Sequence, residues 1–401
     1  MGLTYNSTGT GALEKNLKIE RMTDDDKVIA LAGNPNVGKS TIFNGLTGLN
    51  QHTGNWPGKT VTNAQGKYKF KDRNFILVDI PGTYSLMANS VEEEVARDFI
   101  CFGNPDATVV VCDATLLERN LNLVLQTIEI THNVIVCVNL LDEAKRKKIH
   151  IDLKKLSELL GVPVVGTSAR TGRGLDDFVK AVYDVTAGKI VPEPIKIEYD
   201  EEIEKAVSVL EPAVKKYVNG NLNSRWISLK LLDGDDTLLS SMEKYLNFNI
   251  SSNREILLKL EEAKELLGNN GITDNIFRDR IVSGIYSVAE RLAKQTVSFE
   301  NEKYNETDRK IDRILTSKIY GIPVMIALLG VVFWITIIGA NYPSELIASG
   351  LFWIENRLAD LFILLDAPLW LREMVVTGIF RTVAWVVSVM LPPMAIFFPF
   401  F

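Results

Sequence analysis

One segment near the N-terminus has the residue types and spacing that bind phosphate groups. Residues 33–40 read GNPNVGKS, which fits the pattern G-x-x-x-x-G-K-[S/T] between an apolar strand-like segment and a helical one. In such a loop the glycines let backbone N–H groups surround the phosphates, Lys39 neutralises the β- and γ-phosphates, and Ser40 supplies a hydroxyl to Mg²⁺. The predicted phosphate-binding residues are Gly33, Asn34, Pro35, Asn36, Val37, Gly38, Lys39, Ser40 and Thr41.

A second motif supplies a carboxylate for Mg²⁺. The sequence Asp79-Ile80-Pro81-Gly82 follows the strand-like segment FILVD. An aspartate at the end of such a strand lies near Mg²⁺, usually through a water molecule, and Gly82 can donate its N–H to the γ-phosphate without a side chain in the way. We therefore expect Asp79 and Gly82 to belong to the nucleotide site, and Asp79 and Ser40 to hold Mg²⁺.

A third motif predicts which base is bound. Asn139-Leu140-Leu141-Asp142 follows the apolar segment VIVCVN. A carboxylate can accept two hydrogen bonds from guanine N1–H and N2–H₂, whereas adenine has no such pair of donors. Asp142 is therefore the predicted base selector and Asn139 a second nucleotide-binding residue. An N-cap or loop aspartate is the plainer alternative for Asp142.

A fourth motif, Thr167-Ser168-Ala169-Arg170, resembles the SA[KR] loop of G proteins, whose backbone N–H groups support guanine O6. Ser168 and Ala169 are the predicted contacts. The four motifs in this order resemble the translation-factor-like class of G proteins over residues 28 to about 185. Most G proteins have Lys where this chain has Leu140, which implies weaker stacking on the base and a looser affinity for guanine.

The resemblance to G proteins also implies a threonine between the first two motifs that coordinates Mg²⁺ when the γ-phosphate is present. Thr60 is the first candidate and Thr62 the second. Trp56 lies in the same segment, which we expect to be a mobile loop. An exposed Trp56 is predicted there, with a core tryptophan as the alternative.

The elements that position these motifs alternate between strands and helices. Continuous apolar runs such as residues 107–113 and 133–139 are typical of strands covered on both faces. Their alternation with helical stretches predicts an α/β P-loop GTPase domain, which has a mostly parallel sheet with helices on both faces. Helical periodicity dominates residues 195–300, where Ser252 and Glu255 form a capping-box pattern. This region is predicted to be an all-α spacer domain.

The last part of the chain is apolar. About 22 residues from Ile319 carry no charge, which is long enough for an α-helical transmembrane segment. Basic residues precede them, so this side is predicted to be cytoplasmic. Pro392 and Pro393 predict a broken helix. Because the sequence stops within an apolar run, we expect it to be a fragment of a longer membrane protein.

These patterns give one predicted domain organisation. Its parts are a flexible leader (1–27), a GTPase domain (28–190), a helical spacer domain (195–300), a basic linker (301–318), a transmembrane helix (319–341), an amphipathic interfacial segment (344–371) and a partial second transmembrane segment (374–401).

Composition narrows the function classes. The net charge is −6, and no basic patch stands out apart from residues 145–148, which we interpret as a solvated surface. Nucleic acid is therefore not an expected partner. The three cysteines lack metal-ligand spacing and disulfide patterning, which fits structural burial in a reducing cytosol.

Several longer segments resemble the FeoB family of ferrous iron transporters. They are GNWPGKTV, VDIPGTYSL, ATLLERNLNLVLQ after VVVCD, the Asn-x-x-Asp motif with an apolar second residue, SKIYGIPV, and Leu391-Pro392-Pro393, which resembles the start of the family's gate motif. The resemblance covers nearly the whole chain. It implies GTP-powered or GTP-gated uptake of Fe²⁺ across a bacterial inner membrane, with the GTPase and spacer domains in the cytoplasm.

The same resemblance implies several details of the reaction. Lys39, Asn36 and Thr60 are the implied catalytic residues, and Asn36 is implied to coordinate K⁺, which offsets charge on the transferring phosphoryl group. Thr83 stands where Ras-like proteins have Gln, so intrinsic turnover is expected to be slow. GTP or GDP, Mg²⁺ and K⁺ are the implied cofactors, and Fe²⁺ is the transported substrate. The resemblance also allows a homo-oligomer and small accessory transport proteins as partners. We identify no Fe²⁺ ligands in residues 319–401.

Two other functions fit parts of the sequence. A membrane-tethered regulatory GTPase that transports nothing has the same motifs and the same apolar segments. A soluble GTPase associated with RNA or the ribosome is disfavoured by the apolar segments and by the lack of a basic domain.

Overall fold

The computed structural model describes residues 23, 25–48, 51–56, 62–87, 90–218, 222–246, 253–299, 315, 317 and 321–398. The chain forms two compact units, residues 1–300 and 301–401.

A seven-stranded sheet lies at the centre of the first unit. Its strands are β1 (Lys27–Gly33), β2 (Gln51–Asn55), β3 (Thr62–Phe70), β4 (Arg73–Asp79), β5 (Ala107–Asp113), β6 (Val134–Asn139) and β8 (Val164–Gly166). They lie in the order β2-β3-β4-β1-β5-β6-β8. The run from β4 to β8 is parallel, whereas β2 and β3 pair in antiparallel fashion at one edge.

Helices cover both faces of this sheet. On one face α1 (Lys39–Thr47) and α6 (Leu175–Thr186) bury side chains such as Phe43 and Phe178. On the other face α2 (Val91–Phe102) and α3 (Leu117–Ile130) bury Phe99 among others. The parallel strands are therefore buried on both sides, which is why their sequences are continuously apolar. The predicted α/β fold is confirmed.

The remaining elements of the first unit are helices and two short strands that pair with each other. They are α4 (Leu141–Arg146), β7 (Ile149–Ile151), α5 (Leu153–Leu160), α7 (Glu201–Val218), α8 (Ser224–Asp233), α9 (Asp236–Leu246), α10 (Arg254–Asn269), α11 (Asp274–Thr296) and β9 (Val297–Phe299). β9 pairs with β7 in antiparallel fashion. The side chain of Asn253 caps α10 by accepting from the N–H groups of Glu255 and Ile256, whereas Ser252, the predicted cap, lies outside the described residues.

The segment after α1 differs from the prediction of a loop. Its backbone forms the β2–β3 pair, with Asn55 opposite Thr62. Trp56 follows β2 and is only 4% exposed, with its ring 5.3 Å from that of Phe99 on α2. The prediction of an exposed Trp56 is therefore wrong, because α2 offers an aromatic surface on which the indole packs edge to face.

The second unit is built from long apolar helices. α12 spans Gly321–Leu364, α13 spans Leu369–Arg372, a π-helical stretch follows at Glu373–Phe380, and α14 spans Arg381–Phe397. In the described residues, Gly321–Leu364 and Leu369–Ala395 are long and apolar enough to cross a membrane by length and composition.

Two details of the predicted membrane segments are corrected. The predicted end of a helix at residue 341 falls inside α12, which continues through Pro343 and so includes most of the predicted interfacial segment. α14 likewise runs through Pro392 and Pro393 instead of breaking there. A proline removes only its own backbone donor, and an apolar segment satisfies its other backbone groups best by remaining helical. The 44 residues of α12 extend about 66 Å, roughly twice the thickness of a bilayer core.

A buried ionic network fastens α2 to the helical region of the first unit. The Arg97 side chain is 0% exposed, and its guanidinium donates to Asp98 at 2.8 Å, to Asp235 at 3.1 Å and to Thr237 at 2.9 Å. Ser241 on α9 also donates to Asp98, at 2.7 Å. The Nε atom of Arg97 also donates to Asp98, at 3.0 Å, so all three nitrogens of the buried guanidinium are satisfied, as burial of that charge requires.

We expect Arg97→Met to lower the free energy of unfolding by about 3–5 kcal/mol, because the Asp98 and Asp235 carboxylates would stay buried with less compensation. The matched control is Arg280→Met, which removes an exposed ion pair with Asp200 and should cost about 1 kcal/mol or less. Denaturant unfolding followed by tryptophan fluorescence measures both. Equal losses in the two variants would contradict a structural role for the buried network.

Candidate functional site

The four motifs meet at one edge of the sheet because parallel strands end on the same side. β1, β4 and β6 lead directly into Asn34, Ile80 and Leu140, and β8 leads into the loop that contains Ser168. Such an edge, outside the carboxyl ends of parallel strands, is where α/β folds bind ligands.

The phosphate loop depends on its glycines. Gly38 has φ of 83°, and a Cβ atom there would lie 2.3 Å from the Nδ2 atom of Asn139. Asn36, predicted to bind K⁺, also lies in the left-handed region at φ of 65° and is exposed. α1 then begins at Lys39 without a side-chain cap, so its first backbone N–H groups are available to an anion.

Lys39 and Asp79 lie in direct contact. The Lys39 Nζ atom is 2.6 Å from Asp79 Oδ1, and it also donates to the carbonyl oxygen of Ile80. Burial raises the pKa of the Asp79 carboxyl, while the Lys39 ammonium lowers it. The residues predicted for the phosphates and for Mg²⁺ are thus brought together, and Ser40 at the start of α1 is exposed. A hydroxyl and a carboxylate are hard oxygen ligands of the kind that Mg²⁺ prefers.

The segment after Asp79 packs closely on the phosphate loop. A Cβ atom at Gly82 would lie 3.4 Å from the backbone of Pro35, which is van der Waals contact, so the two segments lie side by side. The N–H of Thr83 donates to the carbonyl of Gly33 at 3.3 Å. Further along, the N–H of Leu86 donates to the side-chain oxygen of Gln126 on α3 at 2.6 Å. The segment is therefore fastened at both ends, to the phosphate loop and to α3.

Asn139 connects three of the loops. It is 1% exposed, and its Nδ2 atom donates to the carbonyl of Val37 at 3.0 Å. Its Oδ1 atom accepts from the Thr167 hydroxyl at 2.9 Å and from the Ala169 N–H at 3.0 Å. Asn139 was predicted as a nucleotide contact, and the structure shows it holding the phosphate loop against the loop that contains Ala169.

Asp142 presents an exposed carboxylate near these loops. Its backbone N–H donates to the Ser168 hydroxyl at 3.2 Å, which joins the third motif to the fourth. Leu140 precedes it with φ of 63°, a conformation that L-residues rarely adopt. That backbone turn lets α4 start immediately after β6 and places Asp142 in its first turn.

The structure leaves some predicted residues undescribed and adds others. Thr60 lies outside the described residues, and only the backbone of Thr62 is described. Sequence reasoning assigned no role to the side chains of Thr167 and Gln126, which hold the loops in place. Thr167 belongs to the fourth motif, and its position at the end of the last strand was the signal that could have revealed its role. In the described residues no group of three or more His, Cys, Asp or Glu could hold a metal ion.

Family models and curated relatives match most of this chain. The family model "Ferrous iron transport protein B" matches residues 27–182, and "FeoB cytosolic helical domain" matches residues 199–298. The chain is 33% identical over 336 residues to the Fe(2+) transport protein A/Fe(2+) transporter FeoB fusion protein of Porphyromonas gingivalis, which covers 82% of this chain and 39% of that protein. It spans about two fifths of the length of such curated relatives.

Solved structures resemble the first unit. The cytosolic domain of the T. maritima FeoB iron transporter in a GDP form has 30% identity and a TM-score of 0.55, covering 68% of this chain and 100% of that one. A GDP-bound variant of S. thermophilus NFeoB has 34% identity and a TM-score of 0.57, with the same two coverages.

We expect Asn139→Ala to weaken guanine-nucleotide binding and to lower the free energy of unfolding by about 1–3 kcal/mol, because three partners on two loops lose their hydrogen bonds. Asn133→Ala is the matched control, since that amide is exposed and, among the described residues, donates to the carbonyl of Asp106. Nucleotide titration and thermal unfolding measure the two effects. If both variants bind nucleotide equally well, Asn139 does not organise the site.

Proposed function

Because the chain belongs to the ferrous iron transport protein B (FeoB) family, we propose that it is the nucleotide-binding part of a ferrous iron uptake transporter. It binds and hydrolyses GTP in the cytoplasm, and this reaction drives or gates the passage of Fe²⁺ across a bacterial inner membrane. The observation that carries the proposal is the convergence of four nucleotide motifs at one sheet edge in a chain that also has apolar helices of membrane length.

Each motif has a separate task in this proposal. Asp142 accepts hydrogen bonds from guanine, and Ser168 and Ala169 lie beside it on the loop that faces the base. Asn139 positions these loops and the phosphate loop. The similar structures that contain GDP support nucleotide binding by this domain.

The phosphate end of the site requires a rearrangement. Lys39 and Asp79 form an ion pair at 2.6 Å, and in the proposed reaction they serve different partners. Lys39 turns toward the β- and γ-phosphates, and Asp79 with Ser40 and Thr60 holds Mg²⁺, which neutralises phosphate charge. Separation of this pair is therefore coupled to nucleotide binding.

Potassium stimulation is the finer part of the proposal. The exposed Asn36 side chain offers an amide oxygen beside the phosphate loop, which suits a hard monovalent cation. K⁺ at this place supplies positive charge to the transferring phosphoryl group. Because Thr83 replaces the glutamine that orients water in Ras-like proteins, intrinsic turnover remains below about 1 s⁻¹.

We expect Asn36→Ala to reduce the ratio of GTP hydrolysis rates in K⁺ and in Na⁺ to near one, because the variant lacks the amide oxygen. Steady-state phosphate release in matched chloride buffers gives the ratio, with Asn133→Ala as a control that should keep the stimulation. A wild-type chain with equal rates in both salts would exclude potassium dependence, and turnover far above 1 s⁻¹ would contradict the absence of a water-orienting side chain.

Partners follow from the same proposal. Apolar helices place the chain in a membrane, and nucleic acid is not a partner. The fused relative carries a protein named Fe(2+) transport protein A in the same polypeptide, which supports a small accessory transport protein as a partner. A homo-oligomer around a pore is consistent with transport.

The decisive experiment exchanges the base specificity. In Asp142→Asn the amide nitrogen can donate to the 2-oxo group of xanthine, so xanthosine triphosphate should replace GTP as substrate. The protein as encoded by its gene is reconstituted into vesicles that contain a fluorescent Fe²⁺ chelator. Fe²⁺ influx should require GTP in the wild type and xanthosine triphosphate in the variant. Nucleotide hydrolysis with the expected specificity but without influx would overturn transport and leave a membrane-tethered regulatory GTPase.

A further inference from the structure

Three cations surround one aromatic ring at the end of the sheet opposite the nucleotide loops. Lys71 Nζ lies 4.5 Å from the centre of the Tyr183 ring, Lys189 Nζ lies 4.9 Å from it, and the guanidinium carbon of Arg73 lies 5.6 Å from it. Phe70 packs edge-on against the same ring at 5.7 Å. We call these five residues the Tyr183 cluster.

The positive charge of this cluster is incompletely balanced. Its three cations lie within about 10 Å of one another, roughly one Debye length at 0.1 M salt, so they repel each other. Asp184 is 3.9 Å from Lys189, and Asp72 lies in the adjoining turn. In the described part of the chain, Lys71 and Arg73 form no ion pair with a carboxylate. Such a surface on a chain of net charge −6 is suited to an anion.

The backbone at Lys71 is a second, independent observation. Phe70 and Arg73 are paired across the β3–β4 ladder, so Lys71 and Asp72 form a two-residue turn. Lys71 has φ of 55° at the first central position, where this kind of turn favours glycine. Turn geometry therefore does not explain a lysine here. Such conformations cost free energy and cluster at functional sites, and here the side chain places an ammonium over Tyr183.

We propose that the Tyr183 cluster binds the phosphate groups of anionic phospholipid headgroups. Arginine binds phosphate oxygens through a two-pronged fork, and lysines add point charges. Tyrosine, such as Tyr183, is enriched at the membrane–water interface. The chain itself carries helices of membrane length. A protein held in a membrane meets phospholipid headgroups at a higher local concentration than free phosphate, so we choose headgroups as the ligand. Clustered basic residues are attracted to an anionic leaflet. The proposal does not depend on GTP hydrolysis or on iron.

Lysine footprinting tests this proposal on the whole chain in lipid nanodiscs. Discs of phosphatidylcholine alone are compared with discs that also contain phosphatidylglycerol, and acetylation rates are read by mass spectrometry. Lys71 and Lys189 should react about tenfold more slowly in the anionic discs. The exposed Lys154 and Lys216 are internal controls whose rates should not change. High salt should remove the protection because it screens the charges.

A matched pair of variants and two further arms separate the outcomes. Arg73→Gln should lose most of the protection of Lys71, whereas Arg280→Gln, a change of the same charge outside the cluster, should keep it. Protection by inorganic phosphate in phosphatidylcholine discs would identify a site for soluble phosphate and overturn the lipid assignment. If Lys71 and Lys189 react more slowly than Lys154 and Lys216 by the same factor in both kinds of disc, their protection comes from contact with protein. If their rates match those of the control lysines and change with neither lipid nor phosphate, a phosphate site is excluded.

Discussion

The nucleotide loops depend on one buried amide, that of Asn139. A parallel sheet brings the ends of its strands to one edge, but the sheet does not fix the loops that leave this edge. Asn139 does so by donating to the phosphate loop at Val37 and accepting from Thr167 and Ala169. Since a buried amide is costly unless its donors and acceptors are paired, the three loops stabilise one another. The phosphate loop and the loop of Ala169 are thereby held in one arrangement relative to each other.

The sheet domain and the helical region share one hydrophobic core, so packed side chains connect the two parts directly. Phe99 on α2 and Phe277 on α11 belong to the same continuous cluster of buried apolar residues. α2 follows the segment that carries Gly82, and Arg97 binds it to the turn before α9. Because close-packed interiors transmit strain, a displacement of α2 is felt in the helical region. The hydrogen bonds of Arg97 are directional, so they fix the position of α2 against α9 more narrowly than apolar packing alone would.

The sequence predicted those parts of the structure that have a strong local signal. Continuous apolar runs identified the parallel strands, and the motifs follow the ends of those strands as predicted. The nucleotide roles of Lys39, Asp79 and Asp142 stay predictions. The β2–β3 pair was missed because its polar residues show no alternation of apolar and polar side chains. Hydrogen bonding of β3 to β4 stabilises this strand, whereas its local sequence does not favour one. The burial of Trp56 depends on Phe99, which is distant in sequence. Helix α12 passes Pro343 because the apolar context outweighs one lost donor. The three contacts of Asn139 were also beyond local reasoning, since they join residues up to 102 positions apart.

The pairing of β7 with β9 gives the first unit a mechanical property. β9 is the last strand that the structure describes in this unit, and it is hydrogen-bonded in antiparallel fashion to the strand that directly follows the helix of Asp142. The N–H of Asp152 also donates to the carbonyl of Thr296 at 2.8 Å. Tension applied to the chain beyond Phe299 would therefore load these bonds before it reached α11. The helix that carries Asp142 ends only a few residues before β7, so this load would be applied close to it.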